Sequence, residues 1–274
     1  MSQDRLILPP ASLAGCLFGA LLRDTRGRGL TGAALFNHFP ASPLFSVSWV
    51  FDGRLHRVIE GQIDQEPLPA ISLAGPQIAP VTSWSPGPVR ALSLGIYPEA
   101  WHALTGHPTE AWVGQTCALA TGLEAGPLLD ALKAVASPDD LARLEADVLP
   151  LWLAVRPGAA GIGRTLGDWL RSVSLRAALG GAGKSLRQSQ RQLRRLTGQN
   201  ARALDLYAKV EALGALRCEA PTPLAELAVA AGFADQSHMG RAVRRVTGLS
   251  PGALNRAIAS EEAFWAYRLL GEGV

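Results

Sequence analysis

The chain has 274 residues, of which 48% are hydrophobic and 18% charged, and this composition excludes a disordered protein while leaving room for two domains. The cysteines Cys16, Cys117 and Cys218 lie far apart with no CxxC pair. This spacing argues against a zinc site and a disulfide framework, and it favours a reducing cytoplasm.

The basic residues are concentrated in the second half of the chain. Residues 1–155 contain 9 Lys and Arg against 14 Asp and Glu, whereas residues 156–274 contain 17 against 9. A strongly basic half joined to a mildly acidic one indicates that the second half binds a polyanion. The alternative is a basic surface that is merely solvated.

The first apolar run, residues 11–22, contains Leu13-Ala14-Gly15-Cys16, a tetrapeptide similar to a bacterial lipoprotein cleavage site. Such a site needs a continuous apolar stretch before the cysteine, and Pro9-Pro10 interrupts that stretch. The run is also too short to span a bilayer. We therefore predict a core helix over residues 11–22 and no membrane segment.

A strand pattern begins at Phe45, where large apolar residues alternate with serines. Asp52-Gly53 is a hairpin signal, and RLHRVIE follows it as a second strand, so that Trp49 is predicted to face His56. These two side chains would share one face and could border an effector pocket, although core packing is the more ordinary role. Further strands are predicted at residues 71–74 and 89–96. A small β-barrel or cupin-like sandwich fits this strand count.

Helical patterns follow the strands. Pro98 suits the first position of one helix, and two more helices are predicted after Gly126, with Ser137 as a cap before Pro138. The apolar stripe of that pair suits either self-association or packing on the domain's own sheet. RPGAAGIG, residues 156–163, is predicted to be a linker, and the chain beyond it is predicted to be helical throughout.

The basic half contains an internal repeat. SLRQSQRQLRRLTG, residues 185–198, aligns with DQSHMGRAVRRVTG, residues 235–248, and both copies end in Arg-Arg, an apolar residue, Thr and Gly. The copies also share an arginine seven places before the final glycine, at Arg191 and Arg241. Such a repeat implies a duplicated function.

The second copy has the pattern of a helix-turn-helix. Thr222 is predicted to cap a helix that begins with Pro223, Gly232 to provide a left-handed turn, Phe233 to fill the angle between helices, and Asp235 to cap the next helix. That helix begins at Gln236. Its first exposed turns would meet base edges in a major groove, and its later arginines would meet phosphates. The predicted base contacts are Gln236, Ser237, His238 and Arg241, and the predicted phosphate contacts are Arg244 and Arg245.

The segment LAELAVAAGFADQSHMGRAVRRVTGLSP resembles the second helix-turn-helix of the AraC/XylS family of bacterial transcription regulators. The resemblance rests on Gly-Phe at 232–233, Gln-Ser-His at 236–238, Arg241 and Gly-x-Ser-Pro at 248–251. Met239 and Val243 depart from it, since the family often has aromatic residues there. The segment from Ser185 to Gly198 is similar to the first recognition helix of the same family, although Gly180-Gly181-Ala182-Gly183 lengthens the turn before it.

The resemblance implies two helix-turn-helix units bridged by a long helix, residues 201–217, that enter successive major grooves of an operator. It places the base contacts of the first recognition helix at Arg187, Gln190 and Arg191. Lys184, Arg194 and Arg195 are then expected to contact phosphates. RNA polymerase would be a further partner if the protein is an activator.

Residues 1–155, notably NHFPASPL, resemble the N-terminal regions of a subgroup of these regulators, which implies effector sensing or dimerisation. We therefore expect an α+β two-domain protein. It would have a mainly antiparallel β domain with flanking helices at 1–155, a linker at 156–163, an all-α double helix-turn-helix at 164–260 and a C-terminal tail at 261–274. No cofactor, metal site or catalytic residue is predicted.

Two other functions stay open from the sequence. The first is a DNA-repair or small-molecule-modifying enzyme that carries this DNA-binding module, with Cys16 or Cys117 as an alkyl acceptor, although neither has a nearby His or Lys to activate it. The second is an architectural protein that binds DNA of any sequence.

Overall fold

The computed structural model describes residues 4–157, 165–179, 186–219 and 223–272. Ten strands lie in the first part of the chain: β1 (Arg5–Ile7), β2 (Leu17–Asp24), β3 (Phe36–Phe39), β4 (Phe45–Asp52), β5 (His56–Ile59), β6 (Gln62–Pro67), β7 (Ile71–Ala74), β8 (Val81–Trp84), β9 (Arg90–Ile96) and β10 (Thr116–Ala118). All their pairings are antiparallel, in one sheet of order β1-β2-β9-β4-β7-β10 and a second of order β3-β8-β5-β6. The expected antiparallel β domain is confirmed, as are the strands predicted at 71–74 and 89–96.

Four helices flank these sheets: α1 (Pro98–Thr105), α2 (Leu119–Gly122), α3 (Pro127–Lys133) and α4 (Leu141–Val155). Pro98 occupies the first turn of α1, as predicted. Ser137 caps a short 3-10 turn, Pro138–Asp140, and forms a capping box with Asp140. The predicted helix pair after Gly126 is therefore confirmed, and its buried leucines pack into the domain's own core rather than facing outward.

The second part of the chain is helical wherever the structure describes it. Its helices are α5 (Leu166–Leu179), α6 (Leu186–Thr197), α7 (Ala201–Glu219), α8 (Leu224–Ala230), α9 (Gln236–Thr247), α10 (Pro251–Ser260) and α11 (Trp265–Glu272). The long bridging helix predicted at 201–217 corresponds to α7. Most of the predicted linker, together with Lys184 and Thr222, lies outside the described residues.

The helix predicted over residues 11–22 is wrong. A short 3-10 turn, Ala11–Leu13, leads instead into β2, which lies between β1 and β9 inside the large sheet. Six of the eight residues of β2 are buried and the other two are half-buried, so both faces of the strand are covered. Such a strand gives a nearly continuous apolar run, as a buried helix would. Gly19 marks the close packing, since a Cβ there would lie 3.3 Å from the carbonyl oxygen of Ile7.

The hairpin predicted around Asp52-Gly53 is also wrong. β4 pairs with β9 and β7, so Trp49 is opposite Leu92 and Ile71, while β5 belongs to the second sheet. Asp52-Gly53 therefore turns the chain from one sheet to the other. The hairpin lies one strand later, between β5 and β6, where Glu60 and Gly61 have φ of 51° and 80°. Two successive positive φ values fit the type I′ turn that two-residue hairpins favour.

One hydrophobic core includes residues from both parts of the chain, and a second lies among the C-terminal helices. Trp169 of α5 stacks on Tyr97 beside α1, with 5.2 Å between ring centroids, and the half-buried Arg176 of α5 forms an ion pair with the buried Glu99. The segment 261–274, expected to be a tail, contains α11, and its Trp265 donates from Nε1 to Oδ1 of Asn37 at 2.9 Å. These contacts hold the second half of the chain against the β domain.

Candidate DNA-binding surface

The second helix-turn-helix consists of α8 and α9 and the turn between them. Gly232 has a φ of 77°, in the left-handed region that glycine favours, and Phe233 is buried in the angle between the helices. The carboxylate of Asp235 accepts a hydrogen bond from the backbone N–H of His238 at 2.6 Å and so caps α9, which begins at Gln236 as predicted. Pro223 is the N-cap residue of α8, so the helix begins at Leu224, one residue later than predicted.

The two faces of α9 differ as the sequence predicted. Met239, Val243 and Val246 are buried on the inner face. The predicted contact residues lie on the outer face, where His238 alone is half-buried because its ring packs edge-on against Phe233, with 5.4 Å between centroids. The exposed members of that set are Gln236, Ser237, Arg241, Arg244 and Arg245.

The first recognition helix, α6, ends in the same local structure as α9. Thr197 Oγ1 lies 2.8 Å from the carbonyl oxygen of Leu193, and Thr247 Oγ1 lies 2.8 Å from that of Val243. The glycine that follows each threonine, Gly198 or Gly248, has a positive φ of 73° or 80°. The sequence repeat is therefore also a structural repeat, because both copies end their helix with the same hydroxyl and the same left-handed glycine.

The outer face of α6 carries Arg187, Gln190, Arg191 and Arg195, all exposed, while Leu193 is buried. Helix α7 connects the two units. With 19 residues at 1.5 Å each it is about 28 Å long, near the length of one turn of B-DNA.

The β domain contacts the end of α6. Thr109 Oγ1 donates to the carbonyl oxygen of Leu196 at 3.3 Å, and a Cβ at Gly198 would lie 3.1 Å from the carbonyl oxygen of Thr109. Arg194, predicted to contact phosphate, lies 3.5 Å from Glu110, and both side chains are largely exposed. Sequence reasoning missed Thr109 and Glu110, since no local pattern indicates a contact between residues more than 80 positions apart.

The β domain also contacts α9, through the backbone N–H of Ala41, which donates to the carbonyl oxygen of Val246 at 2.7 Å. Both recognition helices are thus attached to the β domain close to their C-terminal ends. The N-terminal turns that carry the predicted base contacts are left exposed.

Trp49 and His56 do not form the predicted pair. Trp49 is 1% exposed, and its Nε1 donates to the carbonyl oxygen of Leu132 at 3.0 Å. His56 lies in the other sheet, with Nδ1 2.9 Å from the carbonyl oxygen of Asp64 and its ring edge-on to Trp84. The predicted shared face depended on a hairpin between β4 and β5, and these strands belong to different sheets.

Cys16 is fully buried, and burial raises the pKa of its thiol to about 12. At neutral pH it is therefore a thiol rather than the thiolate that an alkyl acceptor needs. No helix in the described ranges is long and apolar enough to cross a membrane.

Residues 180–257 match the family model of a helix-turn-helix domain. No curated protein matches the chain by sequence. Among solved structures, ToxT from Vibrio cholerae O395 is 11% identical with a TM-score of 0.41, and the alignment covers 87% of this chain and 95% of that chain. Wild-type ToxT of V. cholerae strain SCE256 bound to an unsaturated fatty acid is 13% identical, with coverages of 80% and 93% and a TM-score of 0.37. The AraC-like transcriptional activator CuxR is 12% identical, with coverages of 92% and 85% and a TM-score of 0.27.

The domain match includes both copies of the repeat and the helix between them. It agrees with the left-handed Gly232, the buried Phe233 and the capped start of α9. The assignment rests on this domain and its geometry and not on the solved structures, each of which is 13% identical or less. Residues 180–257 therefore form a helix-turn-helix domain that contains both copies of the repeat.

Proposed function

We propose that this protein is a sequence-specific DNA-binding transcription regulator that reads an operator with both recognition helices. The observation that carries the proposal is the outer face of α9, where exposed Gln236, Ser237 and Arg241 occupy the first turns of a capped helix. The same arrangement of exposed side chains recurs on α6. Arginine can bind guanine bidentately and glutamine can bind adenine, so both helices carry side chains suited to direct readout.

The proposed contacts divide by their position along each helix. Base edges would be read from the N-terminal turns, and phosphates would be bound near the C-terminal turns, where contacts fix the register without reading sequence. In this scheme the base contacts are Arg187, Gln190, Arg191, Gln236, Ser237, His238 and Arg241. The phosphate contacts are Arg194, Arg195, Arg244 and Arg245 in the C-terminal turns, together with Lys184, which precedes α6 in the sequence.

Control of DNA binding is proposed to act through the N-terminal domain, residues 1–155. This domain hydrogen-bonds to both recognition helices, through Thr109 to α6 and through Ala41 to α9. A ligand or a second copy of the chain that favours one arrangement of these contacts would change how well the two helices fit successive grooves.

Selection of bound sequences from random duplex DNA, with purified full-length protein at about 150 mM salt, tests the proposal because non-specific binding is weak at that salt. We expect enrichment of a motif with two blocks about 10 bp apart. We also expect the selected site to bind roughly 10³-fold or more tightly than random DNA. Enrichment of a single block would remove α6 from the proposal, and equal affinity for all sequences would favour an architectural protein.

A further inference from the structure

A cavity of about 160 Å³ lies directly behind the second recognition helix. The buried face of α9 forms one wall, with Met239, Val243 and Val246, and helices α7, α8, α10 and α11 form most of the others. The β domain contributes the segment that includes Ala41, whose N–H is hydrogen-bonded to α9. The cavity therefore touches the reading helix, the bridging helix and the N-terminal domain at once.

Three residues that line this cavity have a buried polar atom without a hydrogen-bond partner among the described residues. They are Oε1 of Glu211, Oδ1 of Asn255 and the hydroxyl of Tyr267. Glu211 is held in place by its other oxygen, which accepts from the backbone N–H of Leu166 at 2.8 Å. Buried polar atoms are nearly always hydrogen-bonded, so three unpaired ones around a single apolar cavity indicate that a molecule in the cavity provides their partners.

The chemistry of these atoms restricts that molecule. Oε1 of Glu211 and Oδ1 of Asn255 are acceptors, and no Lys, Arg or His is among the described residues that line the cavity. A carboxylate or phosphate ligand would meet a carboxylate with no cation to offset it, whereas a donor group would satisfy both acceptors. The volume is close to that of an engineered protein cavity that binds benzene, which limits the apolar part to about one ring or its equivalent.

We propose that this cavity binds a small apolar molecule with a hydrogen-bond donor head, a primary amine being the simplest, with the head at Glu211 and the apolar part against α9. Binding of this ligand stands independently of DNA recognition. Its role as an effector rests on the proposed function, because it requires α9 to read DNA.

Three ligands of nearly equal size, benzylamine, benzyl alcohol and benzoate, test the proposal by calorimetric titration of the full-length protein without DNA. We expect saturable one-to-one binding of benzylamine, at least tenfold tighter than benzoate, with benzyl alcohol between them. Glu211→Gln should weaken benzylamine at least tenfold and remove the preference over benzoate. The amide of this variant can still accept from Leu166. Asp205→Asn is the matched control, since it removes an exposed charge from the same helix and should leave the affinity unchanged.

A second variant tests whether binding requires the space of the cavity, without changing the charge of Glu211. Gly214 lines the cavity, and a Cβ added there would lie 3.9 Å from Gly271 Cα, at ordinary contact distance. Gly214→Leu should therefore fill the space and abolish binding of all three compounds while circular dichroism stays unchanged. Benzoate binding as tightly as benzylamine, an unchanged affinity in Glu211→Gln, or no binding of any compound by the wild type would overturn the proposal.

Operator affinity measured with and without saturating benzylamine then tests the effector role. We expect saturating benzylamine to change operator affinity threefold or more, and Glu211→Gln to lose this change. A ligand that contacts α9 and binds its DNA-bound and free states with unequal affinity shifts the equilibrium between them. Benzylamine binding without any selected operator would refute the proposed function and leave the ligand site standing. An operator whose affinity ignores bound benzylamine would refute the effector role alone.

Discussion

At the scale of single residues, the side chains proposed to read sequence and those proposed to bind phosphates occupy different turns of α9. Arg241 and Arg245 are both exposed and lie one turn apart on α9, with the same charge and the same length. Only Arg241 lies in the half of the helix that would enter a major groove. The pair therefore provides an internal comparison in which position is the only variable.

We expect Arg241→Ala to cost about 1–3 kcal/mol at the selected operator and to relax specificity at the base it contacts. Arg245→Ala should weaken all sequences alike and reduce the slope of log K against log salt by about 1. Fluorescence anisotropy with operator and random duplexes at several salt concentrations measures both effects. If Arg241→Ala lost equal affinity for the operator and for random duplexes, the assignment of Arg241 as a base contact would be contradicted.

At the scale of the element, the start of α9 depends on one side chain. Asp235 has extended backbone geometry and accepts from the N–H of His238, so it satisfies one of the donors that a helix leaves unpaired at its first turn. The residues proposed to read bases begin at the very next position. Fraying of this turn would therefore disorder Gln236 and Ser237 before it affected the rest of the helix.

Asp235→Ala should lower the free energy of unfolding by about 0.5–2 kcal/mol and weaken operator binding. Asp235→Asn or Asp235→Ser keeps an acceptor at the cap and should retain most of the stability. Urea denaturation of the three variants, followed by operator titration, measures both quantities. If Asp235→Asn lost as much stability as Asp235→Ala, the negative charge of Asp235 would matter more than its hydrogen bond.

At the scale of the whole molecule, Glu211 connects the first helix-turn-helix to the bridging helix and to the cavity. Burial raises the pKa of its carboxyl from the ordinary 4.5 to about 7, the backbone N–H groups of Leu166 and Gly167 lower it, and the charge of Asp168 raises it further. The Glu211 carboxyl therefore stays protonated in the folded state at pH values where it is already ionised in the unfolded state. The contribution of Glu211 to stability is complete below pH 4.5 and is lost as the pH rises to about 7.

We expect the free energy of unfolding of the ligand-free protein, relative to Glu211→Gln, to fall by roughly 3 kcal/mol between pH 4.5 and about 7. Benzylamine should offset this loss, because the benzylammonium cation favours the ionised form of Glu211. The stabilisation of the protein by bound benzylamine should therefore increase with pH over the same range. Denaturation curves of both proteins across these pH values provide the measurement. A gap between them that does not vary with pH would show that the Glu211 carboxyl titrates normally.

The local structure of the DNA-reading half could be predicted from the sequence to within a residue or two. Gly232, Phe233 and Asp235 each act within one turn of their own position, so their roles depend on few neighbours. The shared ending of Leu193–Thr197–Gly198 and Val243–Thr247–Gly248 follows for the same reason. Turns, caps and helix faces are decided by contacts a few residues apart, which a sequence displays directly.

The partners of the strands, the cavity and the contacts between the two halves were decided by tertiary structure alone. The run at residues 11–22 is apolar because both faces of β2 are buried. Trp49 is separated from His56 because the chain changes sheets at Gly53. Glu211, Asn255 and Tyr267 are 44 and 12 residues apart in sequence and line one cavity only because α7, α10 and α11 pack together. Local propensity determines what each segment of this chain becomes, but burial over long sequence distances determines which segments meet.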